Sequence, residues 1–505
     1  MKRESGSVSA KVKANREEEY CLRVALVKRH QCSRAYIDRN SDILKIPNFT
    51  ACFTKTLKHD SKGQADREEV MKMLAGVRKC QCYLEKIEYP GTMRLINPSV
   101  VYSWDLIGPY KSSTDIPLPP KYESAELAHE MVELYAMALL RDVPFSEFGT
   151  SPLVAELNLS LGRVDLLFRG TTPGDLIGPY ISQFLYLPYS NGLLEITQKY
   201  RTYLPGVDYM TKLDLALSAQ NGTVKEGPVT KGVARYIITP RDGASFIHVD
   251  DTLQCGQAAA LILNRLKCPG PKGSPFGKAP KPSQENGLCH ADAVQERPFV
   301  DLGILDLYDV MTGATRVAMV SCWYHKWSIF QLRPEELGII IERLYRHESL
   351  PQPHSDLLRS PILQKIQEKF GSRLLPQAYP EGSPPHPAYP SGHAVYAGVV
   401  TTILKAFYDE DFIFDGSVPN QDGSELVPLG QKLRVGDELD KLASNMALLR
   451  CVAGIHYRSD AAGIQLGEEI AISLLQDYVL RYTQKVTFSF HRRDRRLVTI
   501  NNCQE

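Results

Sequence analysis

The chain has 505 residues, 43% hydrophobic and 23% charged, the balance of a globular protein with ample length for a large core. Lys+Arg is 59 against 58 Asp+Glu, a net charge of +1, which argues against nucleic acid or an anionic membrane as the main partner. No apolar run reaches the ~18 residues of a membrane span, and the polar start has no signal-peptide core, so the default expectation is cytoplasmic.

Residues 1–45 read as a charged, variable extension. A first helical half follows over 46–267. In SAELAHEMVELYAMALL, Leu127, Met131 and Leu134 share a face behind a Ser124 cap. Residues 268–290, rich in Pro, Gly and Lys, exclude helix and central strand and read as a loop. The second helical half, 291–505, has Leu439, Leu442, Met446 and Leu449 on one helix behind Asp437, and another helix in GIQLGEEIAISLLQDYVL. Strand alternation stands out only in VTFSF and RLVTI, a C-terminal β-hairpin. The expected fold is mainly α: two helical bundles in one structural domain. The eleven cysteines show no metal spacing, and Cys80 and Cys82 read as chance neighbours; mostly reduced, buried thiols are expected.

Three motifs carry chemistry. In WYHKWSIFQLRP, Lys326 and Arg333 are seven residues apart, ~10 Å along an unbroken helix, but Pro334 disfavours helix at Arg333. Two cations so placed can reach one ligand from different sides. In HPAYPSGHAVYAGVVTTILKAF, Pro387 and Pro390 keep the approach extended and Ser391 sits where an N-cap belongs. The ladder Val395, Val399, Ile403, Phe407 then puts Gly392 and His393 in the first helical turn. Free N–H groups and the positive dipole end suit a tetrahedral oxyanion. In LRCVAGIHYRSD, Arg450 ends a helix, and a break at Gly454 turns His456 toward the same place. Asp460 either caps the next helix or accepts the Nδ1 proton of His456, leaving Nε2 for a metal. Lys326, Arg333 and Arg450 with no carboxylate to neutralise them call for a bound polyanion, phosphate or vanadate.

Lys-x6-Arg-Pro, Pro-Ser-Gly-His and Arg-x5-His-x3-Asp together resemble the site of vanadium-dependent haloperoxidases and related acid phosphatases. The segments FRGTTPGDLIGPYISQFLYLPY, FIHVDD and QAYPEGSPPHPAYPSGH resemble algal and cyanobacterial bromoperoxidases. The resemblance spans about 35–490. It implies that Lys326, Arg333, Ser391, Gly392 and Arg450 bind the oxygens of one vanadate per subunit. It makes His456 the vanadium ligand, His393 the acid–base group, His386 a second histidine typical of bromoperoxidases and Trp323 a neighbour on the halide side. Two departures are Leu449, where Ser is common, and His325 beside the lysine. The activity implied is vanadate-dependent oxidation of bromide and iodide, more than chloride, by hydrogen peroxide to hypohalous acid, which halogenates small organic acceptors. No nucleic acid or membrane partner is expected. A homo-oligomer, dimer or dodecamer, is implied, and the family keeps a cell-surface location open. The competing readings are a soluble acid phosphatase with His456 as nucleophile and a helical protein that stores or senses an oxyanion.

Overall fold

The computed structural model describes residues 17–18, 20–21, 24–25, 43–105, 107–161, 168–224, 227–271, 300–482 and 485–502. The charged extension lies almost wholly outside the described residues, as does the Pro/Gly-rich segment from 272 on.

The long helices are α1 (Arg67–Arg78), α2 (Ala125–Leu140), α3 (Gln254–Arg265), α4 (Ile304–Ile329), α5 (Pro334–Tyr345), α6 (Gly392–Phe407), α7 (Val435–Val452) and α8 (Ala462–Val479). Ser124 caps α2 as expected, its Oγ accepting from Leu127 N at 3.1 Å. The one-faced helices of the sequence reading are more deeply placed than their patterns say. In α2, 13 of 16 residues are buried, and in α7 all but Asp437. Helices buried all round belong to the interior of a large core, and both carry polar residues that need partners there.

Helix α6 packs against α4, α7 and α8. The main core joins Leu127 and Met131 of α2 to Val395 and Ile403 of α6 and Leu442 of α7, so the two halves share one interior. A smaller cluster packs Phe53, Val70 and Met73 under Trp327 and Phe330, at the end of α4.

Among the described residues four antiparallel pairs decorate the helices: β1 (Tyr189–Asn191) with β2 (Leu194–Ile196), β3 (Tyr200–Tyr203) with β4 (Thr230–Arg235), β5 (Ile413–Pro419) with β6 (Leu426–Arg434), and β7 (Thr487–His491) with β8 (Leu497–Asn501). The last is the expected hairpin, in register from Thr487↔Asn501 to His491↔Leu497. The others escaped the sequence reading because they bury too little to impose a period of two. In β6 only Leu433 is buried, so nothing in its pattern marks a core face. Cys80 and Cys82 also differ from expectation, being joined by a disulfide. Cys52, Cys255, Cys268, Cys322 and Cys451 are free and buried. Among the described residues no helix is long and apolar enough to cross a membrane.

The α6–α8 contact is set by glycine. A Cβ on Gly467 would lie 2.1 Å from Val395 O, and one on Gly398 would lie 2.2 Å from Ile464 O. Both obstacles are backbone and cannot swing aside. We predict that Gly467→Ala costs about 1–3 kcal/mol by overpacking, read as a lower urea midpoint at unchanged m-value. A midpoint equal to wild type means the helices part freely there.

Candidate active site

Helix α4 ends at Ile329, with Phe330 in the left-handed conformation (φ 57°), and Pro334 starts α5 after an extended Arg333. Lys326 and Arg333 therefore do not stand two turns apart on one helix. They come from the end of one helix and the cap of the next, and both are buried. Lys326 Nζ donates to Pro387 O (3.0 Å) and Ala388 O (2.8 Å). Two of its three N–H groups hold the approach to α6, and one remains for a ligand.

Arg333 spreads its fork across two segments. Nε donates to His386 O (2.8 Å) and Nη1 to Ile455 O (2.8 Å). Nη1 also meets His456 Nε2 at 3.0 Å, and Nη2 meets His386 Nδ1 at 2.9 Å. A guanidinium can only donate. Both ring nitrogens therefore accept, and His386 carries its proton on Nε2. The 3.2 Å approach of His386 Nδ1 to Pro387 O is then a contact without a proton between them.

Ser391 is the N-cap of α6, its Oγ 3.5 Å from Ala394 N, and its own N–H donates to Asp460 O (3.0 Å). That bond ties the start of α6 to the loop after α7. Gly392 is needed for a close approach: a Cβ would meet the Trp323 ring at 3.3 Å. Trp323 in turn lies 4.9 Å, centroid to centroid, from His386, and Lys326 Nζ is 5.7 Å from the Trp323 ring centre. His393 hydrogen-bonds Asp250 (Nε2–Oδ1, 2.9 Å) rather than any of the cations. Tyr396, one turn on, donates to the other oxygen of Asp250.

At the end of α7 the chain breaks at Gly454, φ +87°, as the sequence requires. Arg450 Nη1 donates to Ile247 O (2.9 Å), while its Nε is buried with no partner. Of the two roles expected of it, Asp460 takes the second: it accepts the Nδ1 proton of His456 and does not cap α8, which has no side-chain cap. Its Oδ2 accepts from His456 Nδ1 (2.5 Å) and from Tyr457 N (3.1 Å) at the head of the following turn. Helix α2 grips the same turn: Arg458 Nε donates to both oxygens of Glu133 (3.0 and 2.9 Å), and Ser459 N and Oγ donate to Glu130 (3.0 and 2.8 Å).

Burial pushes the Lys326 ammonium down, and Arg333 and Arg450 add to it. Burial draws Arg333 down to about 10, so it stays charged at neutral pH. Burial, then Arg333 and Lys326, hold His456 well below the usual histidine range; burial with Lys326 and Arg333 does the same to His386. His393 is lowered by burial and by Arg450, against the pull of Asp250. Burial raises the Asp460 carboxyl although Lys326 and Arg333 oppose it. The site thus holds three buried cations, one buried acid and three imidazoles held toward the neutral form.

The donors left over suit a tetrahedral oxyanion: the third N–H of Lys326, the unpaired Arg450 Nε and the N–H groups of the first turn of α6, while Arg333 Nη1 keeps His456 Nε2 an acceptor. Lys326, Arg333, Ser391, Gly392, His456, Asp460, Trp323 and His386 are linked by the contacts above; Arg450 is near enough to Lys326, Arg333 and His456 to act on them electrostatically, and His393 joins them through α6. Sequence reasoning missed Asp250, Tyr396, Glu130 and Glu133. Asp250 lies in FIHVDD, a segment read as familiar without a role.

Residues 306–485 match the family described as the VCPO second helical-bundle domain. The chain is 32% identical to a vanadium-dependent bromoperoxidase of Ascophyllum nodosum, over 94% of this chain and 90% of that one. It is 30% identical to a vanadium-dependent bromoperoxidase of Corallina officinalis, over 89% and 90%. The chain belongs to the vanadium-dependent bromoperoxidase family. The fold agrees: the homohexameric second vanadate-dependent bromoperoxidase of Ascophyllum nodosum superposes with a TM-score of 0.85 at 25% identity, covering 99% of this chain and 94% of that one. For a bromoperoxidase of this family the arrangement around His456 has a direct consequence. Removing Asp460 takes away the Nδ1 acceptor and leaves the Arg333 Nη1 donation to Nε2 as the contact that still favours the proton on Nδ1. We predict that Asp460→Ala mixes the two His456 tautomers, read by side-chain 15N NMR of the free protein. A spectrum with Nδ1 still fully protonated would show that Asp460 does not set the tautomer.

Proposed function

We propose that the chain oxidises bromide and iodide with hydrogen peroxide to hypohalous acid, holding one vanadate per chain, and that the acid halogenates small organic acceptors. The observation that carries this reading is the buried group Lys326, Arg333 and Arg450, in which Lys326 keeps a third N–H and Arg450 Nε has no partner, around His456, whose Nε2 is an acceptor held by Arg333 Nη1 that a bound metal would take over. Such charge is tolerable in a core only opposite an anion. His456 is the metal ligand in this reading. Lys326, Arg333, Arg450, Ser391 and the Gly392 N–H hold the vanadate oxygens. Bound vanadium(V) supplies a Lewis acid that activates peroxide without changing oxidation state.

The overall reaction, H2O2 + Br⁻ + H⁺ → HOBr + H2O, takes up one proton. His393 handles protons at the site, because it is held near neutrality and keeps contact with Asp250, whose second oxygen is occupied by Tyr396. Lys326 presents a cationic N–H that draws electron density from the oxygen that bromide attacks. Trp323 and His386 form the halide side. The buried Nε2–H of His386 offers a hydrogen bond where an aromatic ring would offer none. This supports bromide and iodide turnover over chloride. The chain assembles with copies of itself, a reading supported by the homohexameric relative, and light scattering counts the copies.

The decisive experiment is a peroxidase assay with each halide, on protein incubated with and without orthovanadate. We expect bromide and iodide turnover only with vanadate, and little chloride turnover. His456→Ala should retain no vanadium after dialysis while its circular dichroism is unchanged. Stoichiometric vanadium and full turnover in that variant refute the assignment.

A pH effect follows from Lys326. Its pKa is lowered in the free protein, and a bound anion raises it again. Anion binding therefore takes up a proton wherever the free-protein lysine is neutral, and affinity falls as pH rises. From about pH 8 toward the ordinary lysine value of about 10.4, the phosphate dissociation constant of the metal-free protein should rise by up to about tenfold per pH unit. Isothermal titration calorimetry checks it, and Lys326→Met should flatten the slope. A flat wild-type profile shows that Lys326 keeps its proton throughout.

A further inference from the structure

We propose that the fully buried ion pair between Glu335, two residues after Arg333, and the sequence-distant Lys55 is the positioning centre of the active site; the proposal rests on the bromoperoxidase reading above. Lys55 Nζ donates to Glu335 Oε1 (2.5 Å) and to Glu381 O (2.5 Å), and both partners of the pair are buried. Glu335 Oε1 also accepts from Gln220 Nε2 (3.0 Å), and its Oε2 accepts from Ser383 N (2.6 Å). Between these anchors Gly382 lies with φ +65°, and a Cβ there would fall 2.1 Å from Glu335 Oε2. The backbone of residues 381–383 is thus laid directly against the carboxylate. Only glycine allows that approach in that conformation.

The two ends of the pinned segment reach the two sides of the site. At one end the Glu381 side chain pairs with His248, two residues before the Asp250 that holds His393. At the other end His386 receives Arg333 Nε on its carbonyl and Nη2 on its ring. The neighbouring residues repeat the device. Glu336 Oε2 accepts from Arg333 N (2.7 Å), and its Oε1 accepts from Thr54 N (2.9 Å) and Thr54 Oγ1 (3.2 Å). The dipeptide Thr54-Lys55 therefore meets the dipeptide Glu335-Glu336, which directly follows Arg333-Pro334. Arg333 is fixed by Glu336 at its backbone and, through the pinned segment, by His386 at its guanidinium. Lys55 and Glu335 touch none of the oxyanion-binding side chains. They act through His386, Arg333 and the Asp250 loop, so they are positioning residues.

A pair that served stability alone would lower the melting temperature and leave the site's affinities untouched. The test therefore reads affinities in folded protein. Glu335→Gln keeps shape and removes the charge that Lys55 needs. In full-length Glu335→Gln we expect a cooperative melt, a vanadate dissociation constant weakened about tenfold by equilibrium dialysis with metal analysis, and a raised KM for bromide with a smaller change in kcat. A folded variant with wild-type vanadate affinity and wild-type bromide KM overturns the proposal. Should Glu335→Gln fail to fold, Lys55→Met/Glu335→Leu removes both charges, which a core tolerates better than one. That double variant still loses the anchors of Glu381 and Ser383, so the same tenfold loss is expected, and wild-type affinity there is equally fatal. Inorganic phosphate is titrated in parallel. If wild type binds neither anion, the functional reading has failed, and the positioning claim is then judged by the His386 ring resonances. Resonances unchanged in the variant overturn it.

Discussion

Three basic side chains are buried within reach of one another, and the rest of the site is arranged so that backbone carbonyls rather than carboxylates hold them. Lys326, Arg333 and Arg450 all need hydrogen-bond acceptors, because an unmet buried donor is costly. A carboxylate would satisfy them best and would cancel the charge. The protein uses backbone carbonyls instead: Pro387 and Ala388 for Lys326, His386 and Ile455 for Arg333, and Ile247 for Arg450. A carbonyl accepts a hydrogen bond and leaves the net charge in place. The three cations are thereby oriented without being neutralised, and an oxyanion is the partner that remains to be supplied.

The acids stand one step back. Asp460 meets His456, Asp250 meets His393, Glu336 meets the Arg333 N–H, Glu335 meets Lys55, and Glu130 and Glu133 meet the turn that follows His456. None of these contacts is to the charged head of Lys326, Arg333 or Arg450. That division explains why the site can be rigid and electropositive together. Rigidity comes from charge-assisted bonds in the surrounding layer, and positive potential comes from keeping those acids off the guanidinium and ammonium tips.

Much of this is legible in the sequence, and the limits are physical. Ser391, Gly392 and His393 are readable because an N-cap has a local pattern. The break at Gly454 is readable because a left-handed residue favours glycine. Helix α6 is readable from its apolar ladder. The second layer is not, because Glu130, Glu133, Asp250 and Lys55 lie between 143 and 329 residues from what they hold. A buried Glu on an amphipathic pattern looks like a solvated one until tertiary structure places a donor opposite it. Strands of the first three pairs were missed for the converse reason: β1 and β2 bury nothing and β6 one residue, and β3 and β5 bury only two each, too few to stand out in the sequence. The i,i+2 pairing of Cys80 with Cys82 fits none of the spacings by which cysteines are usually recognised.

The family match over residues 306–485 contains all the residues expected to touch vanadate, yet that stretch does not make the site by itself. Ile247 O completes Arg450, Asp250 orients His393, Thr54 and Lys55 satisfy Glu336 and Glu335, and Glu130 with Glu133 holds the turn after His456. All six residues come from the first half of the chain. Without them Arg450 would lose the Ile247 acceptor, Glu335 would lack its buried counter-charge, and the turn after His456 would lose two buried carboxylate grips. The shared interior that joins α2 to α6 and α7 is therefore more than packing. It is the route by which the first half delivers neutral acceptors and distant acids to a cation cluster that the second half cannot hold in shape alone.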